Sequence, residues 1–451
     1  MPEPAAAHAS APAAPQFMLV PSLACPASCA YCFGPHQGPT MSPQTLERAL
    51  DFMARVTPAS RPGPVKVTFH GGEPLSAGHE LWRQALDGLR DRFGIGGYEV
   101  ALQSNLWALD DVFCELFAEH RVEVGTSVDG PEDITDSQRG AGYFARTMAG
   151  VGRARARGLD VGCIATFTAA SAPRWRVVFD FFVEHQLGWS VHAAVPRLGG
   201  PTSSLRLTPA AYRDLLLDLA DAYVDRRHDT DISSLNQVFR GVASGEGKVC
   251  TFRDCSRMFL AIDPEGGIYH YQRLAGRPEW RLGDLHDEPT SEELYASPVG
   301  VRLREREARV ADVCGECPHL AYCRGGCPYN AWASGGVEAT IDPYCEAYRA
   351  VFDHVQQRLA EEMGSEANIA AVAERPYDGR GHPLLRRGPL IDLCKDGPHP
   401  RVVARTARRI IAAVEMARGP DDAVVAERLV AMGICRSRTT ADASIAGLRA
   451  R

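Results

Sequence analysis

Three cysteines share one short stretch, Cys25-x3-Cys29-x2-Cys32, with Tyr31 just before the last and Phe33 just after it. Three thiolates on one loop can hold three irons of a [4Fe–4S] cube and leave the fourth open to a substrate-like molecule. The competing reading is a structural zinc site, which needs four donors and would have to enlist His36. A second group reads Cys314-x2-Cys317-x5-Cys323-x3-Cys327-x17-Cys345, preceded by the pair Cys250 and Cys255. That is more thiol than core packing uses, although four-cysteine zinc sites share part of the spacing. Of the 14 cysteines, Cys114, Cys163, Cys394 and Cys435 fit no motif and read as small buried hydrophobes. No export signal precedes these thiols, and a reducing compartment disfavours disulfides.

Other polar clusters fall where a strand should end. Gly71-Gly72-Glu73-Pro74 combines two unhindered backbone positions with an acidic group suited to an ammonium ligand. Gln103-Ser104-Asn105 and Ser127-Val128-Asp129-Gly130-Pro131 occupy two similar places, and Asp136-x2-Arg139 follows the latter. Ordinary turn chemistry also uses Ser and Asp in this way.

The elements that must position them alternate. β-branched runs predict strands at 17–22, 65–70, 98–103, 122–128, 161–168 and 190–195. Between them, helical spacing predicts helices at 43–55, 80–90, 111–119, 144–157 and 174–184, with a longer one at 209–226. Six strand-then-helix units imply an α/β fold with a parallel sheet, closed or partly closed as a (β/α)6 barrel. Such barrels carry their chemistry at the C-terminal ends of the strands. From 241 to 349 the pattern changes to cysteines, glycines and turns, with short strands at 258–262 and 267–271. A helix at 345–363 leads through a Gly/Pro-interrupted stretch to helices at 402–418, 421–432 and 441–450. The expected organisation is a disordered leader at 1–16, a barrel at 17–235, a cysteine-rich domain at 241–363 and a helical extension at 364–451. A formal charge of −7 gives no footprint for nucleic acid. No apolar run approaches the ~20 residues of a membrane span, and the expected compartment is cytoplasmic.

The first cysteine motif and Gly71-Gly72-Glu73-Pro74 together resemble the radical S-adenosylmethionine (SAM) superfamily. The resemblance implies that SAM chelates the open iron of the Cys25, Cys29 and Cys32 cluster, with Tyr31, Gly71, Gly72 and Glu73 lining the cofactor. It further implies that Ser127 and Arg139 contact the ribose and the methionine carboxylate, and that Leu198 lines the adenine. Leu106 departs from the pattern, since the family often has glycine there. The second cysteine group resembles the SPASM motif of peptide-modifying maturases and anaerobic sulfatase-maturating enzymes, which ligates two auxiliary [4Fe–4S] clusters. By that resemblance one auxiliary cluster sits on Cys314, Cys317, Cys323 and Cys345, and the other on Cys250, Cys255 and Cys327. Tyr271 stands where the fourth cysteine of the latter belongs, so His270, Tyr271 or Gln272 substitutes or the iron stays open. In the sulfatase-maturating enzymes an aspartate base follows that cysteine. Here it is Gln272, which accepts no proton usefully.

The resemblance therefore implies three [4Fe–4S] clusters, SAM, a precursor-peptide substrate and a flavodoxin- or ferredoxin-type reductant. The implied reaction begins with hydrogen abstraction by a 5′-deoxyadenosyl radical and ends in a carbon–sulfur or carbon–carbon crosslink. A sulfatase-type maturase or peptide dehydrogenase uses the same parts. A non-catalytic iron–sulfur electron carrier is the alternative outside enzymes, although a pure carrier gains nothing from an open iron. The resemblance spans 17–363; the tail resembles no family.

Overall fold

The computed structural model describes residues 15–61, 63–200, 204–226, 229–363, 421–431 and 438–449. Of the expected leader at 1–16, residues 1–14 lie outside the described residues, and Gln16 instead opens the first strand; the helix at 402–418, Cys394 and Cys435 also lie outside them. The chain divides into two compact units, Met1–Ala165 with Asp254–Ala308 and Thr166–Arg253 with Arg309–Arg451.

In the first unit the strands are β1 (Gln16–Leu19), β2 (Val65–Phe69), β3 (Tyr98–Gln103), β4 (Glu123–Ser127) and β5 (Val161–Phe167, its last two residues in the second unit). They lie parallel in the order β5-β4-β3-β2-β1. The helices between them are α1 (Pro43–Val56), α2 (Gly78–Phe93), α3 (Asp111–Glu119), α4 (Glu132–Arg139) and α5 (Tyr143–Ala156). Caps fix where they start: Ser42 accepts from the Thr45 amide at 3.0 Å and Asp110 from the Phe113 amide at 3.0 Å.

Period-two alternation sorts the sheet into two faces. Val67, Phe69, Val100, Leu102 and Val124 are buried on one face. There Phe69 meets Trp82 of α2 at 4.1 Å, and Trp82 meets Phe117 of α3 at 5.0 Å. Each such Phe contributes up to about 3 kcal/mol by leaving water. The opposite, inward face carries Thr68, Ala101, Gln103, Gly125 and Ser127, all half-buried.

Three more strands extend the sheet beyond β1: β7 (Phe259–Ile262), β8 (Gly267–Tyr269) and β9 (Arg281–Asp284). β7 pairs with β1 in parallel, and the hairpin continues antiparallel. β1 is thus paired on both edges, by β2 and β7, and has no edge left with which to close a barrel.

The second unit holds β6 (Trp189–Ala193) and α6 (Trp175–Glu184), α7 (Pro209–Arg226) and α8 (Ser233–Ser244). It also holds the cysteine-rich elements α11 (Leu320–Cys323), α12 (Pro328–Gly335) and α13 (Cys345–Met363), and then α14 (Asp422–Ala431) and α15 (Arg438–Arg449). The remaining helices, α9 (Ser291–Ala296) and α10 (Pro298–Val313), lead out of the hairpin region. The cysteine-rich stretch is more helical than its glycines and turns imply. In α10, Val299, Leu303 and Val310 are buried at helical spacing, with Arg306 buried among them, and the intervening charges mask the pattern.

Candidate active site

The loop after β1 carries Cys25, Cys29 and Cys32, all partly exposed. It is laid against the strand ends by backbone bonds: the Gly72 amide donates to Ser22 O at 2.9 Å and the Glu73 amide to Ala24 O at 2.9 Å. A Cβ on Gly72 would stand 2.4 Å from Ala24 O and 2.5 Å from Leu23 O. At Gly71, φ is +124° and a Cβ would stand 2.5 Å from Val20 Cγ1. These glycines are required by the approach of the cysteine loop itself, a nearer cause than approach of a ligand.

Glu73 is buried, and its carboxylate accepts from the Leu75 amide (2.9 Å), Ser104 Oγ (2.7 Å) and the Asn105 amide (2.8 Å). Burial pushes its pKa up, against the pull of those three donors. Three of the roughly four acceptor positions of a carboxylate are taken, so its first part is to lock the β2 and β3 ends together.

Asp129 is the second anchor. Its Oδ2 accepts from Tyr31 OH (2.6 Å), Gln138 Nε2 (2.7 Å) and Arg139 Nε (2.9 Å), and its Oδ1 from Arg139 Nη2 (2.8 Å). The Arg139 guanidinium lies 5.3 Å from the Tyr31 ring centre and 5.2 Å from that of Tyr143. Burial works against its charge, yet Asp129 outweighs this and raises its pKa above the ordinary value. Arg139 Nη1 then points at Cys29 Sγ at 4.0 Å, and Asn105 Nδ2 at Cys25 Sγ at 3.9 Å. Tyr31 and Arg139 thus serve the loop and its sulfurs, with little donor capacity left on Arg139 for a cofactor carboxylate.

Ser127 ends β4 on the inward face, where its Oγ accepts from Gln103 Nε2 at 2.9 Å. His70 shares that face; its Nδ1 accepts from the Gly71 amide at 2.7 Å, which leaves the proton on Nε2. Burial and then the nearby Arg273 push the His70 pKa down to about 4. Arg273 lies over the Phe33 ring at 5.3 Å, so the chain after β8 returns to the cysteine loop. His70 and Gln103 belong to the site although the sequence reading assigned neither a role; their parity with Thr68 and Ser127 was the available signal. Leu106, at the family's glycine position, has φ +62°. The backbone there demands the left-handed region, and Gly150 of α5 makes room: a Cβ on it would stand 2.6 Å from Leu106 Cβ.

The three loop thiols fit a bound iron–sulfur group. Burial raises the Cys25 pKa to about 11 and also raises that of Cys29, and the loop thiols repel one another's negative charge. Free thiolates are therefore disfavoured, while a cationic iron would offset both costs.

In the second unit Cys323 is pushed up to about 12 by burial and by the charges of Cys345, Cys317 and Cys314, and Cys345 responds to Cys314 and Cys317. These four thiols lie close enough to feel one another's charge. Cys250 and Cys327 also belong to the second unit, whereas Cys255, His270, Tyr271 and Gln272 belong to the first. Cys255, His270 and Gln272 are buried; His270 Nδ1 and Gln272 Oε1 have no partner among the described residues. The Tyr271 ring packs edge-on against Phe259 at 5.7 Å. Cys114 and Cys163 are buried, as expected of thiols outside any motif. Among the described residues no three His, Cys, Asp or Glu side chains gather closely enough for one metal ion.

The Radical SAM superfamily profile matches residues 19–169. An uncharacterized protein of Methanothermobacter thermautotrophicus is 38% identical over 221 residues, covering 49% of this chain and 83% of that one. The serine-type anaerobic sulfatase-maturating enzyme of Bacteroides thetaiotaomicron is 22% identical over 406 residues, covering 81% of this chain and 96% of the enzyme. Among solved structures, native anSMEcpe with bound AdoMet and Cp18Cys peptide superposes with a TM-score of 0.68 at 20% identity. That match covers 78% of this chain and 99% of the other. The likeness shows the fold, an α/β partial barrel followed by a cysteine-rich region, and the described residues add helices toward the C-terminus. No helix among the described residues is long and apolar enough to cross a membrane.

Proposed function

The chain belongs to the radical SAM superfamily, and we propose that it joins two side chains of a ribosomally made peptide by a carbon–sulfur or carbon–carbon bond. The electron-carrier reading falls with the family. When bound, the cluster and SAM would supply a 5′-deoxyadenosyl radical that takes one hydrogen atom from carbon; the second hydrogen would leave as a proton and its electron would pass to an auxiliary cluster, so that the new bond replaces one C–H bond and one S–H or C–H bond. The chain's own residues prepare the place for this. Cys25, Cys29 and Cys32 hold the iron, while Asn105 and Arg139 donate toward two of the sulfurs. Ser127, oriented by Gln103, offers its O–H to the ribose. Glu73 keeps one acceptor position for the methionine ammonium beside Gly71 and Gly72. Arg139 has one spare N–H for the carboxylate, Tyr31 backs it, and Leu198 walls the adenine. The inward face of the sheet receives the peptide.

We assign 17–235 to SAM chemistry, 241–363 to two auxiliary clusters and 364–451 to a helical extension. One auxiliary cluster takes Cys314, Cys317, Cys323 and Cys345. The other takes Cys250, Cys255 and Cys327, with its fourth position open or filled by His270 or Tyr271. A flavodoxin- or ferredoxin-type protein supplies the electron, in a cytoplasm reducing enough to keep these thiols free.

The observation that carries the crosslink over formylglycine formation is Gln272. It is buried with Oε1 unpaired, and by resemblance it holds the place of the sulfatase maturases' base. A proton acceptor is missing where aldehyde formation requires one. The maturase reading keeps support from the Bacteroides relative, which aligns along 81% of this chain. Anaerobic incubation with SAM and the short peptide encoded beside the gene separates the two. A crosslinked product is two hydrogens lighter and keeps its fragments joined after proteolysis. An aldehyde that reacts with a hydrazine probe would refute the crosslink.

A further inference from the structure

The stretch that follows β6 is held by two tyrosines that flank cysteines of the second group. The Leu198 amide donates to Tyr329 OH at 3.4 Å, and Tyr329 lies two residues past Cys327. Tyr344, directly before Cys345, donates its hydroxyl to Leu207 O at 2.9 Å and stands 3.3 Å from Ala194 O. Both tyrosines are buried. The same stretch is tied to the end of β5, with the Ala194 amide on Phe167 O at 2.8 Å, and the Leu207 amide closes back on Ala194 O at 3.2 Å. Two phenols thus hold the backbone at Ala194, Leu198 and Leu207.

The tyrosines are themselves joined through one carboxylate. Asp342 is buried, its Oδ2 accepting from the Cys327 amide (2.9 Å) and Asn330 Nδ2 (3.0 Å) and its Oδ1 from the Tyr344 amide (2.9 Å). A Cβ on Gly326 would stand 2.3 Å from Asp342 Cβ, so this knot has no slack on that side. Tyr212 packs edge-on against Tyr344 at 4.7 Å. The backbone at Cys327 and at Tyr344 thus meets on one carboxylate.

We infer that Tyr329 and Tyr344 are positioning residues for SAM, which hold the adenine-side wall around Leu198 in register with the cysteine-rich segment and make that wall depend on iron loading of Cys314, Cys317, Cys323 and Cys345. The inference rests on the proposed adenine role of Leu198. Every contact that carries it lies within the second compact unit.

The test uses the full chain reconstituted anaerobically, with Tyr329→Phe and Tyr344→Phe as conservative variants that keep the ring and lose the hydroxyl. Iron per chain should stay at the wild-type value. The SAM half-saturation for 5′-deoxyadenosine formation and the directly measured SAM dissociation constant should both rise about three- to tenfold, the scale of one hydrogen bond. The rate at saturating SAM should hold. Amide exchange in 194–200 should speed up by a similar factor. In a Cys314→Ala/Cys317→Ala chain the same stretch should exchange faster, and adding Tyr329→Phe should change it little further, because a shared route is non-additive. Unchanged exchange in both tyrosine variants, or effects that add in full, overturns the clamp. Faster exchange with unchanged SAM affinity overturns the inference by a different route, through the adenine role of Leu198.

Discussion

Replacing Asp129 by Asn tests the anchor under the cysteine loop with almost no change of shape. The carboxylate now accepts four hydrogen bonds at 2.6 to 2.9 Å, two of them a fork from Arg139. Asp129 is 2% exposed and Arg139 6%. The amide keeps one acceptor oxygen but turns a donor toward groups that already donate. More seriously, it leaves a buried guanidinium without its counter-charge, a loss that costs about 3–5 kcal/mol. The cation–π contacts to Tyr31 and Tyr143 are present before and after the change and offset none of this, so a loss of at least about 3 kcal/mol is expected. Native-state amide exchange across 126–140 reads the local opening free energy directly and needs no assumption that the whole chain unfolds as one. Exchange there should accelerate about 100-fold, at 1.36 kcal/mol per factor of ten. The double variant Asp129→Asn/Arg139→Gln removes the stranded charge and should recover more than half of the loss. Acceleration below about tenfold, or no recovery in the double variant, would refute the idea that the ion pair supports this loop.

Three further outcomes follow from the same geometry. Replacing Cys25, Cys29 and Cys32 together by Ala should abolish 5′-deoxyadenosine formation while iron analysis still finds metal on the second cysteine group. Gly72→Ala drives a methyl against Ala24 O and Leu23 O, an overpacking cost of about 1–3 kcal/mol; spin counting of the reduced first cluster should fall and SAM cleavage should slow at least tenfold. Leu106→Gly relieves a left-handed residue, worth about 1–2 kcal/mol, but empties a site where Leu106 is fully buried, at a cost of about 2–5 kcal/mol; thermal unfolding should show net destabilisation.

The sequence displays what short-range pattern encodes. Cysteine spacing, the parallel strands and α7 and α13 were legible because each depends on residues close in the chain. α8 was also legible, since Leu235, Val238, Phe239 and Val242 have helical spacing, yet it went unassigned. α4 was not: EDITDSQR is almost wholly polar, and its buried Gln138 and Arg139 are satisfied by Asp129. The Tyr31–Asp129 bond spans 98 positions, and nothing local announces it. The pairing of β7 beside β1, which leaves the barrel open, was hidden for the same reason. The paired residues of the two strands lie about 240 positions apart, so the pairing is a long-range contact.

One device recurs wherever the chain gathers thiols. Glu73 and Asp129 stand beside the first cysteine loop and Asp342 beside the second group, and each is buried with three or more donors on its carboxylate. A buried carboxylate so engaged has little left to offer a metal, and a hard oxygen is in any case a poor match for iron–sulfur centres, which select thiolate. Its effect is on geometry: several donors, side chains at Asp129 and backbone amides among them at Glu73 and Asp342, converge on one charged point and hold the chain there. The acidic residues of the motifs thereby act as fasteners that leave the sulfurs as the available ligands. Arg139 shows the consequence most directly, since the carboxylate that fixes its Nε and Nη2 is what aims its Nη1 at Cys29.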